Sequence, residues 1–292
     1  MYFKRMQESI PTKAPGPNAF PTGAIIKEAW QISTTYFWPL TLAIFLIQIP
    51  ETILVSLANE HQAWKISCWY DALVSGFVFV GAYRTVFRLK STGVPPTFGD
   101  IFREGQPFYG RNFRLIWLSG IFTAIVVLGV VIIILPCLAL LRDGRNEPWS
   151  YALLATSIVI GTAMISWWVA RLFFYRAALS DDATGAMKAI EESFRLTKGK
   201  VMTVAPLLIS MLGIFMVFVI SYLATLVTVA GGFENEISKG TEVKIDLIFA
   251  FPFAFMQALG ISMAALAYLH LRDESRSAAA TASSLAPEAP PS

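Results

Sequence analysis

Hydrophobic residues in this chain gather into six long runs divided by short polar intervals. A helix needs about 20 mostly apolar residues to cross a hydrocarbon core about 30 Å thick, because each residue rises about 1.5 Å. The runs at roughly 36–58, 66–88, 115–141, 150–171, 201–231 and 246–270 meet that length, so the pattern predicts six transmembrane helices. The third and fifth are charge-free from Leu115 to Leu141 and from Val201 to Phe233. The second is the weakest: its uncharged core runs only from Ala72 to Tyr83, and it spans if Asp71 and Arg84 sit at, or snorkel toward, opposite interfaces.

A recurring segment precedes runs one, three and five. It reads Thr22-Gly-Ala-Ile-Ile-Lys-Glu-Ala-Trp30, then Thr97-Phe-Gly-Asp-Ile-Phe-Arg-Glu-Gly105, then Thr184-Gly-Ala-Met-Lys-Ala-Ile-Glu-Glu-Ser-Phe194. Apolar positions in each fall on one helical face, such as Ile25, Ile26 and Ala29, or Met187, Ile190 and Phe194. Thr97 and Asp100 have capping-box spacing; Asp181 or Asp182 is the candidate N-cap of the third segment, and Gly199 its stop. Runs two, four and six close on Tyr83-Arg84, Tyr175-Arg176 and Tyr268-Leu-His270. The expected fold is therefore an all-α integral membrane protein of six transmembrane helices in three repeated units (22–92, 95–180 and 181–272), each led by a cytoplasmic amphipathic helix. Units of one topology are not the inverted repeats common in secondary transporters. The Pro-containing segment 1–21 and the tail 273–292 are expected to be disordered.

Composition agrees. Hydrophobic residues make up 55% and charged residues only 15%, where soluble domains carry about a quarter charged. A net charge of +3 does not suggest nucleic acid as a partner. The distribution of that charge is more telling, since eighteen of the 23 Lys and Arg fall on the side holding both termini. By the positive-inside rule that side is cytoplasmic, and no cleaved signal peptide is expected. Cys68 and Cys137 lie in different units among apolar neighbours and are read as packed thiols, neither a disulfide nor a metal set.

The stretch Ala189-Ile-Glu-Glu-Ser-Phe-Arg-Leu-Thr-Lys-Gly199, followed by a long apolar span and ending in Ala267-Tyr-Leu-His-Leu-Arg272, resembles the membrane domain attached to some bacterial glycerophosphodiester phosphodiesterases. It is also similar to stand-alone six-span inner-membrane proteins of the YciC kind. The resemblance covers most of residues 22–272 and implies a bacterial inner-membrane protein of envelope or lipid housekeeping. The hydrolase domain of the fused members is absent, so their activity does not carry over.

Glu51 and Asp71 are the leading intramembrane candidates, able to share a proton or bind a cation if both lie within two turns of the outer ends. The alternative is that Pro50 ends the first helix early and both acids face water. Gln48 and Gln257 can line a polar path or bond across helices, and Ala250, Ala254, Ala258 and Ser262 form a small-residue packing stripe. Arg84, Arg88, Arg171, Arg176, Arg195 and Lys198 flank the spans among aromatic residues, which suits anionic head groups of the inner leaflet. Glu28, Glu104, Glu191 and Glu192 recur in the leading helices, and Glu191 or Glu192 is expected to reach Arg84 or Arg176. No HExxH, CxxC, GxSxG or P-loop occurs, and no cofactor is expected. Two functional classes follow: a non-catalytic accessory or scaffold acting on membrane lipid or a partner protein, and a small-solute or ion transporter using the intramembrane acids. Reporters active only outside the cytoplasm should be bright when fused near residues 62, 145 and 238 and dark near 93, 182 and 280; a bright fusion at 182 would overturn both orientation and repeat.

Overall fold

The computed structural model describes residues 20–58, 60–142, 148–181, 185–230 and 238–284, and every element among them is helical. The order is α1 (Thr22–Thr35), α2 (Phe37–Leu57), α3 (Glu60–Tyr70), a π-turn (Asp71–Ser75), α4 (Gly76–Thr92), α5 (Phe98–Gly105), a 3-10 turn (Gln106–Phe108), α6 (Tyr109–Arg142), α7 (Pro148–Leu172), α8 (Tyr175–Asp181), α9 (Ala186–Thr197), α10 (Val201–Ala230) and α11 (Lys239–Ser284). Six helical stretches are long and apolar enough to cross a membrane. They are α2, the α3–π–α4 rod, α6, α7, α10 and α11, here spans one to six. Segment 1–19, residues 285–292, Asp182 and the Gly231-Gly232 pair lie outside the described residues, as does the Cys137 side chain.

Pro50 does not end span one, which continues to Leu57. Hydrocarbon offers the backbone no alternative partner, so a helix tolerates the one bond that proline removes rather than unravelling. Pro136, Pro206 and Pro252 likewise lie inside helices. Span six continues past Arg272 to Ser284, so the part of the tail up to Ser284 is helical where disorder was expected.

Caps explain the element ends. The Thr97 hydroxyl accepts from the Asp100 N–H and the Asp100 carboxylate accepts from the Thr97 N–H, the reciprocal box the spacing predicts. Gly93 (φ 70°) and Gly199 (φ 73°) stop the chain after α4 and α9 in the left-handed region that L side chains avoid. The expected cap at Asp181 is not made. Helix α9 begins at Ala186 behind Gly185 without a side-chain cap, and Asp181 instead closes α8 and pairs with Arg272.

Span six is the axis of the bundle, packing on α1, span one and α4. Ala250, Ala254, Ala258 and Ser262 are buried along it, and Ser33 of α1 donates a hydrogen bond to the Ser262 hydroxyl at 3.3 Å. Span two is the most enclosed, whereas spans three and five leave most of their apolar surface outward, as lipid-facing helices do. Helix α5 lies against α4 through two glycines. A Cβ on Gly81 would stand 1.8 Å from the Ile101 carbonyl oxygen, and one on Gly105 2.0 Å from that of Phe77. These are backbone atoms that cannot rotate aside. Gly81→Val should therefore lower stability by about 3 kcal/mol or prevent folding, whereas Gly99→Ala, with open space around it, should leave thermal unfolding in detergent unchanged; an unaltered melt for Gly81→Val would refute the close approach.

Candidate functional site

Helix α3 starts at Glu60, which sets Asp71 eleven residues inside span two, roughly 16 Å from its end at about 1.5 Å per residue. The sequence pattern put Asp71 within two turns of the end of span two, and the rod runs eleven residues beyond it. It opens the π-turn, where the Gly76 N–H bonds back to the Asp71 carbonyl. Such turns insert a residue into a helix and re-aim the side chains around it.

The partner of Asp71 is Arg176, expected at the cytoplasmic flank. Helix α7 ends at Leu172 and the chain turns at Phe173-Phe174 into α8, which packs along α4. Ser193 holds this break: its hydroxyl donates to the Arg171 carbonyl at 2.6 Å and accepts from the Phe174 N–H at 3.2 Å. Arg171 reinforces it by donating to the Phe194 carbonyl at 2.9 Å. Redirected in this way, Arg176 donates from Nη2 to Asp71 Oδ2 at 2.8 Å and lies 5.2 Å from the Phe79 ring centroid.

Beside this pair is a cavity of about 1390 Å³ bounded by spans one, two, five and six. One wall is polar. The Ser67 hydroxyl donates to Glu51 at 2.6 Å, and the hydroxyls of Ser56 and Tyr222 donate to Asp246 at 2.8 and 2.6 Å. Both carboxylates are thus held by neutral donors. Gln48 donates to Gln257 at 2.7 Å, and the tips of spans one, two and six, with Lys239 and Glu242, form the mouth. The opposite wall is aromatic, with Phe215, Phe218, Phe249 and Phe253. Spans two and five face each other across the cavity without extensive packing between them. A second cavity of about 330 Å³ shares Phe79, Arg176, Phe215, Phe253 and Gln257 with the first and is otherwise largely apolar.

Glu51, Asp71, Gln48 and Gln257 are therefore brought together, and Ala250 lines the same space. Arg176, Asp246, Ser67 and Tyr222 were not foreseen as its members. Arg176 had a signal, being the one charge in the otherwise uncharged stretch Leu172–Ser180. Cys68 is a free thiol on the cavity wall.

The other charged candidates meet at the end of the bundle that carries α1, α5 and α9. Arg84 reaches Glu104 at 3.1 Å and the Ser180 carbonyl at 2.8 Å, and Arg88 joins Asp100 at 2.6 Å and Glu104 at 2.7 Å. Lys90 pairs with Glu28, and Arg272 with Asp181. The expected reach of Glu191 or Glu192 to Arg84 or Arg176 is not made. Glu192 binds Arg195 one turn along its own helix at 2.7 Å, and Glu191 is exposed. Those two arginines are already engaged by Glu104 and Asp71. Arg171 stacks over Trp167 at 5.2 Å, and Lys198 is exposed at the end of α9.

The fold and site define an all-helical protein with six candidate membrane-spanning helices, four of which bound an acid-lined cavity. No family model, curated protein or solved structure matches the chain. Breaking a partly buried pair by removing one partner costs up to about 3 kcal/mol, because the other charge is left without compensation. Arg176→Met should lower unfolding stability by about that much, and adding Asp71→Asn should recover most of it; a double variant no more stable than Arg176→Met would show that the pair is not coupled.

Proposed function

We propose that this chain is a membrane transporter for a small organic cation or zwitterion, bound in the cavity between spans one, two, five and six. The observation that carries this reading is the charge pattern of the walls. Among the described residues Glu51 and Asp246 have hydroxyl partners and no cationic one, and Asp71 is neutralised by Arg176. A carboxylate in a membrane interior is expensive to maintain, and a cationic ligand offsets that expense. Spans one and six are also cross-linked by glutamines at the floor of the cavity, so a polar ligand would meet hydrogen-bonding groups there instead of hydrocarbon.

The accessory or scaffold role suggested by the basic face has less support. Arg84, Arg88, Arg195 and Arg272 are engaged by acids of the same chain, which leaves those positive charges partly neutralised. We take the protein to lie in a bacterial inner membrane with both termini cytoplasmic, the cavity mouth then opening outward. The three-unit organisation is part of the same reading. It is supported by short helices with buried apolar residues ahead of spans one, three and five, Ile25, Ile101 and Ile190 among them.

Proteoliposomes of the full chain should give a transient current when the ethanolamine concentration is stepped up on the mouth side, and the current should be abolished in the Glu51→Gln, Asp246→Asn double variant. Absence of current, or an equal current in the variant, would overturn the transport reading.

A further inference from the structure

The two cavities adjoin, and Arg176 and Gln257 are among the residues that line both. The groups around them change character in a fixed order. Glu51 stands three residues beyond Gln48 on span one, about 4.5 Å along the helix, and Gln48 is bonded to Gln257 at the junction. From Gln257, span six continues along the second cavity through Gly260 to Ala264, about 10 Å further at about 1.5 Å per residue. The sequence along the path is thus an unneutralised carboxylate, then a guanidinium, then an apolar slot walled by Met211, Ile214 and Met263.

Unused hydrogen-bonding capacity sits at the junction. Gln48 is 6% exposed, yet among the described residues its Oε1 accepts no hydrogen bond and the buried Nε of Arg176 has no acceptor. Ser75, 2% exposed on the same wall, also has an unpartnered hydroxyl. Buried polar atoms are nearly always satisfied, so an unpartnered donor and unpartnered acceptors on residues that line one cavity point to a ligand or water as the missing partner. A ligand with both an anionic and a cationic group matches that pairing better than a simple cation.

Building on the transport reading, we infer that the ligand is a single-chain zwitterionic amphiphile with an amine-bearing phosphate head, whose ammonium binds Glu51, whose phosphate binds Arg176 and whose chain fills the apolar cavity. Glu51 and Arg176 line the same cavity, so the two ends of one zwitterionic head reach both. The ligand keeps the direction of a lipid in the leaflet at the mouth, head toward the loops and chain toward the bilayer middle. The unpacked interval between spans two and five gives it a lateral entrance.

Cys68, on the wall of the first cavity, reports occupancy. The full chain carrying Cys137→Ser, in phosphatidylglycerol nanodiscs, is alkylated by a maleimide in the presence of one of three probes. Lauroyl-lysophosphatidylethanolamine has the amine, the phosphate and the chain; glycerophosphoethanolamine lacks the chain; lauroyl-lysophosphatidylglycerol lacks the amine. The first should slow alkylation at a concentration about tenfold or more below the other two, the factor expected when one charge-assisted or apolar contact is lost. Glu51→Gln should abolish its advantage over the phosphatidylglycerol probe. Met211→Trp, which fills the apolar cavity from loosely packed span five, should abolish its advantage over the chainless probe and leave the chainless probe's own effect unchanged. Equal protection by the chainless or the amine-free probe, or no protection by any, overturns the amphiphile. An ethanolamine current together with chain-independent protection overturns the amphiphile alone and leaves the transport reading intact.

Discussion

The Arg176–Asp71 pair is the constraint on which the rest of the site depends. Two charges well inside a bundle are tolerable only when each neutralises the other and their remaining hydrogen-bonding groups are directed to something useful. That requirement explains two departures from regular helix that have no other evident purpose. The π-turn at Asp71–Ser75 re-aims the acid from span two, and the break at Phe173-Phe174 brings the arginine up from the far end of span four. Gly76 completes the arrangement, since a Cβ there would lie 2.0 Å from Asn112 Nδ2 and would force that side chain to move.

The break in turn depends on a residue distant from the site. Ser193 in α9 satisfies both the Arg171 carbonyl and the Phe174 N–H, two of the groups that a helix end leaves without partners. Thr197 and Phe194 of the same helix receive the Arg171 guanidinium. The short stretch Ser193-Phe-Arg-Leu-Thr197, which stands out in the sequence, thus has a physical role as the clamp that ends span four and aims α8. The belt of ion pairs around Arg84, Arg88 and Glu104 fixes the neighbouring element, because Arg84 also holds the Ser180 carbonyl at the end of α8. A local cap and a surface network therefore act through α8 on a charge in the bundle interior.

Much of this was legible in the sequence. The six spans, the capping box at Thr97, the stop at Gly199 and the grouping of Gln48, Glu51, Asp71 and Gln257 all follow from local pattern and spacing. The cavity position of Arg176 was not legible, for a definable reason. Counting basic residues assigns each to a side of the membrane by its position along the chain, and a helix that turns back into the bundle defeats that assignment. Asp71 lies further from the helix end than hydropathy suggests, because hydropathy marks the start of span two near Ile66 while the helix begins at Glu60 with polar residues that hydropathy excludes. The pairing of Glu191 and Glu192 failed on competition. An arginine three residues away at Arg195 meets Glu192 without tertiary closure, and pattern alone does not reveal that Arg84 is already occupied by Glu104.

Span five's loose attachment is the remaining structural oddity, and it follows from the same electrostatics. Closing span five onto span two would press Phe215 and Phe218 against Glu51 and Asp71, stripping water from carboxylates that gain no new donor in exchange. The walls therefore stand apart, with aromatic rings on one side and acids on the other.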